Sequence, residues 1–215
     1  MSVALEVRQL QVLVAARALV DIEALDVEEG KLAVIAGDAG SGKTLFAAAL
    51  AGSVDARGRV AVKGKAVVGP PSQRRRGGLA VAIRDGSRIV GCTVDEALAL
   101  SGGDARRRHE VFERFPPLAT RRTVMAQFLS GGEQQMLQLA CAWCAAASVL
   151  VVDSPTVGLA GDIAATVGAM ARDEVARGCA VVWLEQDPRA APAAASHRLL
   201  TGTVVAVGES ASAPA

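Results

Sequence analysis

The sequence predicts an α/β fold with a mostly parallel sheet core, an N-terminal antiparallel β subdomain and a helical subdomain. Short apolar runs at Leu32–Ala36, 149–152 and 180–184 are typical of parallel strands buried on both faces. Segments of helical pattern separate these runs, and strands that alternate with helices favour a parallel sheet. Two strand-like segments at 5–14 and 20–27 precede the first buried run, and they predict the antiparallel part.

The domain organisation follows from the same pattern. We expect a single domain over residues 1–209, with the helical subdomain at about 85–130. The last six residues, 210–215, are small and polar, so a disordered tail is expected there. The basic run 74–76 follows a Pro-Pro break, and we interpret it as a solvated surface.

The overall charge and hydropathy exclude several classes of protein. The chain has 23 basic and 22 acidic residues, so no global positive field points to a nucleic-acid partner. The longest nearly unbroken apolar run, 139–152, is shorter than a membrane-spanning helix requires. Glu6 and Arg8 interrupt the N-terminus, which therefore lacks the pattern of a secretory signal. We expect a cytoplasmic protein, attached to a membrane through a partner if at all.

A glycine-rich loop follows the buried strand Leu32–Ala36 and opens a helix. It fits GxxxxGK[ST], the phosphate loop of P-loop NTPases, through residues Gly37, Asp38, Ala39, Gly40, Ser41, Gly42, Lys43 and Thr44. Backbone amides of such a loop, with the helix N-terminus, surround a β-phosphate. Lys43 can reach the β- and γ-phosphates of ATP, and the Thr44 hydroxyl can ligate Mg²⁺. By itself the loop is compatible with a kinase, a GTPase or a motor.

A second candidate metal ligand stands at the end of another predicted strand. Asp153 follows the apolar run 149–152 directly. An aspartate at the carboxyl end of a buried parallel strand lies at the ligand crevice of such a fold. We therefore expect Asp153 to complete the Mg²⁺ site with Thr44.

The segment 129–135 reads LSGGEQQ and resembles the defining motif of the ATP-binding-cassette (ABC) family. This resemblance implies that the helix N-terminus at the motif binds the γ-phosphate of an ATP held by the opposite subunit. The residues concerned would be Ser130, Gly131, Gly132 and Glu133, acting in trans. Two cassette subunits would then enclose two nucleotides head to tail.

A narrower resemblance concerns the second ATPase subunit of branched-chain amino acid importers and of the related urea and amide importers. Gln186 stands where most cassette proteins have a γ-phosphate-contacting histidine, and Ala160 where they have an aspartate; this subgroup is similar in both respects. The resemblance implies membrane permease subunits as partners and a place on the inner face of the cell membrane. The segment 84–90 occupies the region that couples nucleotide to the permease, but it lacks the usual glutamine.

The sequence departs from the family pattern at the catalytic position. Ser154 stands where the family has a glutamate general base, and such a base is typically worth about 10²–10⁴ in rate. The aromatic residue that stacks on adenine is also missing near Val14. We predict a chain that binds MgATP but hydrolyses it weakly, in a heterodimer with a complete partner, or else in a homodimer. The alternative is a non-transport regulatory pseudo-ATPase of the same family.

Overall fold

The computed structural model describes residues 2–15, 17–84, 88–192, 195–200 and 203–206. Its first sheet is antiparallel and has the strand order β2-β1-β4-β5. These strands are β1 (Val3–Val14), β2 (Arg17–Glu28), β4 (Arg57–Val62) and β5 (Lys65–Ala66). The predicted N-terminal strands are confirmed, and β4 and β5 form a hairpin that turns at Lys63 and Gly64.

The second sheet has six strands in the order β10-β9-β3-β8-β7-β6. All neighbouring strands are parallel except the terminal pair β9 and β10. The strands are β3 (Leu32–Ala36), β6 (Leu79–Ala82), β7 (Val149–Asp153), β8 (Ala180–Glu185), β9 (Ala195–Leu200) and β10 (Thr203–Ala206). The predicted mostly parallel core is therefore confirmed.

The parallel sheet separates two hydrophobic cores. Alternate side chains of β8 enter them: Val181 and Trp183 pack on one face, and Val182 and Leu184 on the other. The first face is covered by α6 (Gly131–Cys144) and α7 (Gly161–Ala176), and the second by α1 (Lys43–Ala51) and the antiparallel sheet. Because both faces are buried, β3 is apolar throughout, and β7 and β8 are apolar up to their last residue, which is why the sequence pattern identified these strands.

The middle of the chain contributes short helices. They are α2 (Pro71–Arg76), α3 (Val94–Leu100), α4 (Ala105–Arg114), α5 (Pro116–Ala119) and a 3-10 turn at Ala126–Phe128; a second 3-10 turn lies at Pro188–Ala190. An ion pair fixes α4 to the core, because Arg107 donates to the buried carboxylate of Glu174 at 3.0 Å and to the carbonyl of Trp143 at 2.8 Å. Within the described parts of the chain, no helix combines the length and apolar character needed to cross a bilayer.

The basic run 74–76 is not entirely the solvated surface that the sequence suggested. Arg74 turns inward and donates to the carbonyls of Ala49 and Leu50, both at 2.9 Å, at the C-terminal end of α1. It also donates to the carbonyl of Gly69 at 3.0 Å. The last carbonyls of a helix have no partner within the helix, so the guanidinium acts as a C-terminal cap.

We expect Arg74→Ala to lower the free energy of unfolding by about 1–2 kcal/mol, because the substitution removes hydrogen bonds to helix-terminal carbonyls that are partly shielded from water. The exposed neighbour Arg76 provides a control of equal charge, and Arg76→Ala should change stability by less than about 0.5 kcal/mol. Urea denaturation of both variants measures the difference. Equal stability losses would contradict the capping role.

Candidate functional site

Three parallel strands end at the same edge of the sheet and bring the predicted site residues together. In the strand register Ala36 lies beside Glu185, and Asp153 beside Leu184. The amide of Gly37 donates to the carbonyl of Glu185 at 3.1 Å, which fixes the start of the phosphate loop. The carboxyl ends of β3, β7 and β8 thus form the kind of crevice in which open α/β sheets bind ligands.

The phosphate loop has the backbone conformation that its glycines permit. Gly40 and Gly42 have φ values of 81° and 96°, in the left-handed region that residues with a Cβ rarely adopt. Gly42 is the N-cap of α1, so the free amides at the start of that helix face the loop. Around the loop lies a cavity of about 440 Å³, which we call the phosphate-loop cavity. Its lining includes Lys43, Thr44, Arg84, Ser154, Glu185 and Gln186.

Lys43 fills the centre of the loop. Its ammonium donates to the carbonyls of Gly37 and Asp38 and approaches the Ser41 hydroxyl, and the residue is only 8% exposed. Burial lowers the pKa of Lys43 below its ordinary value, although the carboxylates of Asp153, Glu185 and Asp38 oppose that shift. A phosphate group beside the ammonium would favour its charged form and replace the carbonyls as hydrogen-bond partners.

Asp153 lies within reach of the Thr44 hydroxyl. Its Oδ1 accepts a hydrogen bond from the Ser154 hydroxyl at 3.3 Å, whereas its buried Oδ2 has no hydrogen-bond partner within the residues that the structure describes. Burial raises the pKa of Asp153 above its usual value, and the opposing influences come from Thr44, Ser154, Lys43 and Arg84. An unsatisfied carboxylate oxygen beside a hydroxyl fits the oxygen-donor set of Mg²⁺. These two predicted metal ligands are therefore close enough to act together.

Ser154 follows Asp153 in a strained backbone conformation. Its φ is 47°, and a non-glycine residue held in the left-handed region costs on the order of 1–3 kcal/mol. Two neighbours hold the turn: the Ser154 amide donates to the Leu184 carbonyl at 2.8 Å, and Gln135 Nε2 donates to the carbonyls of Pro155 and Val157 at 3.3 and 3.1 Å. This turn therefore brings the residue at position 154 into the lining of the cavity.

Two functional candidates were missed by the sequence analysis. Glu185, 2% exposed, accepts hydrogen bonds from the Thr156 hydroxyl at 3.1 Å and from the Gln186 amide at 3.0 Å. It ends the buried strand β8 as Asp153 ends β7, so the same strand-end signal could have identified it. Arg84, at the end of β6, lines the cavity, and its charge reaches Asp153. Gln186 is exposed at the cavity, as its predicted role requires.

The LSGGEQ segment lies elsewhere on the surface. Ser130 is the N-cap of α6 and forms a capping box with Glu133, whose carboxylate accepts from the Ser130 amide at 2.8 Å and pairs with Arg121 at 3.3 Å. A Cβ added to Gly131 or Gly132 would meet nothing within 4 Å, so the space beside these glycines is open. Among the described residues around the phosphate-loop cavity, none belongs to this segment. Ser130 and Gly131 are exposed, and all four predicted trans residues lie outside the lining of the phosphate-loop cavity.

The buried amide of Gln134 connects the LSGGEQ segment to the chain after β6. It accepts from the Ile89 amide and donates to the Ile89 carbonyl, both at 3.3 Å, and it also donates to the Ala126 carbonyl. The guanidinium of Arg88 donates to the Leu129 carbonyl at 3.0 Å. A groove of about 310 Å³ runs beside this connection, lined by β6, Ile89 and one side of α6.

Comparisons with known proteins agree with this geometry. The sequence matches the family described as ABC transporter over residues 21–157, which is more than half of the chain. The high-affinity branched-chain amino acid transport ATP-binding protein BraG of Pseudomonas aeruginosa is 32% identical over 152 residues, covering 67% of this chain and 65% of BraG. The probable branched-chain amino acid transport ATP-binding protein LivF of Archaeoglobus fulgidus is 31% identical over 150 residues, covering 66% and 63%. The chain thus spans slightly less than two thirds of the length of these relatives.

Solved structures show the same fold. The structure of an ATP-binding subunit of an ABC transporter superposes with a TM-score of 0.78 at 20% identity, covering 94% of this chain and 88% of that one. The fold is therefore that of a P-loop NTPase, as the phosphate loop predicted. Because the family match covers more than half of the chain, the chain belongs to the ABC transporter family, among its ATP-binding subunits.

Proposed function

We propose that this chain binds MgATP between two cassette subunits and so drives an importer for branched-chain amino acids or a similar small polar solute. One observation carries the proposal. The chain has a phosphate loop and an unsatisfied Asp153 oxygen at one place, and an open helix N-terminus at Ser130 at another. Two half-sites that face different directions on one chain are completed when two cassette subunits meet head to tail.

At its own half-site the chain supplies the groups that hold a nucleotide. Lys43 and the loop amides bind the phosphates, and Gln186 offers an uncharged amide at the position where most cassette proteins have histidine. Thr44 and Asp153 provide the oxygen ligands for Mg²⁺, which when bound neutralises charge on the phosphates. Each of these residues lies at a strand end or in the first turn of α1, so the site is held by rigid elements.

At the other half-site the chain completes the partner's nucleotide. The capping box occupies the Ser130 hydroxyl and the Glu133 carboxylate, which leaves the first amides of α6 directed outward. The positive end of the helix favours a γ-phosphate there. Glu133 therefore acts by orienting Ser130, and Gly131 and Gly132 allow the phosphate to approach the backbone.

The importer assignment rests on the relatives and on the groove beside β6. The names of BraG and LivF describe transport of branched-chain amino acids, and we extend that solute class to this chain. The groove adjoins the segment at Ile89 that Gln134 ties to the LSGGEQ motif, so a permease segment seated there would be coupled to the nucleotide. In this proposal the chain binds permease subunits on the inner face of the cell membrane.

The serine at position 154 favours weak hydrolysis at the chain's own half-site. Its hydroxyl cannot hold the carboxylate charge with which a general base activates water near neutral pH. The consequence is a heterodimer in which the partner holds the complete site. The same observation supports the second candidate, a regulatory pseudo-ATPase that does not transport; copurification of the chain with permease subunits distinguishes the two.

Thr44→Val should remove the Mg²⁺-dependent gain in ATP affinity, about tenfold or more, because valine keeps the shape of threonine but lacks the ligating oxygen. ATP binding in the presence of EDTA should stay unchanged. Isothermal titration calorimetry with and without Mg²⁺ tests this expectation, with the exposed Thr123→Val as control. If the Mg²⁺ gain survives in Thr44→Val, the predicted metal site is wrong.

Ser154→Glu should raise steady-state ATP turnover by about 100-fold, because it supplies a general base on a backbone already shaped to present it. Ser154→Gln has the same length without the charge and should stay near the wild-type rate. Phosphate release is measured for the chain alone and with its partner, and Lys43→Ala provides the background. Brisk turnover by the wild-type chain alone, if Lys43→Ala abolishes it, would show that the chain's own site is not degenerate.

A further inference from the structure

The chain has few aromatic residues, and almost all of them serve the core. There are four phenylalanines, two tryptophans and no tyrosine. Five of these six side chains are at most 7% exposed, whereas Phe128 is 73% exposed. In addition, no aromatic residue is found among the described residues that line the phosphate-loop cavity, where Leu19 provides the nearest apolar surface. The described lining of the half-site that binds phosphate therefore has no aromatic ring on which a base could stack.

Phe128 is exposed on a backbone that is firmly held. It ends the 3-10 turn Ala126–Phe128, and its amide donates to the Met125 carbonyl at 3.0 Å. The next residue, Leu129, is only 3% exposed and anchors the chain in the core. The guanidinium of Arg88 donates to the carbonyls on both sides of Phe128, those of Gln127 and Leu129. The ring is thus presented to solvent from a fixed position and is not part of a loosely held loop.

The ring stands beside the helix end that receives the partner's γ-phosphate. Leu129 and Ser130 both have extended backbone conformations, so two residues of chain separate Phe128 from Ser130 by about 7 Å. The side chain extends this reach further. The ring therefore lies close to that helix end, near enough to contact a nucleotide that binds there.

We propose that Phe128 stacks on the adenine of the nucleotide held by the opposite cassette subunit. This inference rests on the proposed function, since it needs the head-to-tail arrangement. Stacking on an aromatic side chain is a common way to bind a base, and it requires only a flat, accessible ring. The chain would then supply in trans an aromatic platform that its own half-site lacks.

The surroundings of Phe128 favour a base over an apolar protein surface. Several polar groups lie close to Phe128: the amide of Gln127 and the hydroxyl of Ser130 are near it in the chain, and the guanidinium of Arg88 donates to the carbonyls on both sides of it. A protein-docking surface has a contiguous apolar core, and one ring within a polar rim does not provide it. A purine has the matching character, with flat π-faces and a polar edge.

Nucleotide-driven dimerisation tests the proposal, with sedimentation velocity as the readout. The wild-type chain is measured in two samples. One is the purified chain alone, and the other is the complex that is purified from its source cells by means of a tag on the chain. Two probes are compared, MgATP and magnesium tripolyphosphate, because the second has the phosphates but no base. The variants are Phe128→Ala, Phe128→Leu and Phe128→Trp. Leu100→Ala is the control, since Leu100 is also 73% exposed but lies on α3.

We expect Phe128→Ala and Phe128→Leu to raise the MgATP concentration needed for half-maximal dimer by about tenfold. Phe128→Trp and Leu100→Ala should behave like the wild type. The response to tripolyphosphate should be the same in all variants, and ATP binding to dilute monomer should not change. Because the ring is exposed, none of these substitutions should unfold the chain, and thermal melting verifies this.

Each of the other possible outcomes contradicts either the stacking contact or the proposed function. Wild-type behaviour of Phe128→Ala with MgATP would exclude the stacking contact while leaving the proposed function intact. Rescue by leucine, or an equal loss with tripolyphosphate, would show that the ring packs against protein instead of a base. If neither wild-type sample forms a MgATP-dependent dimer, the proposed function fails, and the stacking contact fails with it.

Discussion

The structure depends on the parallel register of β3, β7 and β8, because it places three strand ends at one edge of the sheet. The phosphate loop starts there, Asp153 and Ser154 follow β7, and Glu185 ends β8. One ammonium, that of Lys43, lies among the buried carboxylates of this edge. A triphosphate with its metal would supply the remaining charges and oxygen contacts, so this edge of the sheet is complementary to the ligand that the family binds.

Helix α6 connects this edge to two other regions. Gly131 and Gly132 in its first turn have open space beside them, while Gln134 holds the chain at Ile89 beside the groove and Gln135 holds the turn after Asp153. The first turns of one helix thus join the LSGGEQ half-site, the groove and the chain's own catalytic turn. A displacement of the segment at Ile89 must either move α6 or break the buried bonds of Gln134. This gives the proposed coupling a physical basis.

Local patterns explain what the sequence could predict. The strand before Asp153 and the helix starts after the phosphate loop and after Ser130 each depend on neighbouring residues, and all three lie where the sequence predicted them. The contacts of Arg74 could not be predicted from local patterns. Its acceptors are the carbonyls of Ala49 and Leu50 in α1, 25 and 24 residues earlier in the chain, and a run of basic residues gives no sign of such contacts. The approach of Arg84 to Asp153 likewise depends on the pairing of β6 with β7.

The distribution of functional groups over the two half-sites supports an asymmetric dimer. The chain's own half-site has Lys43 and the proposed metal ligands, but Ser154 stands where the family pattern has a carboxylate, and the described residues that line the cavity include no aromatic ring. The outward half-site has a complete LSGGEQ helix start and an exposed Phe128. In a homodimer, both composite sites would combine these elements, and both would lack the carboxylate. In a heterodimer, the outward half-site would meet a partner that has it, so every group this chain retains would serve one fully active site.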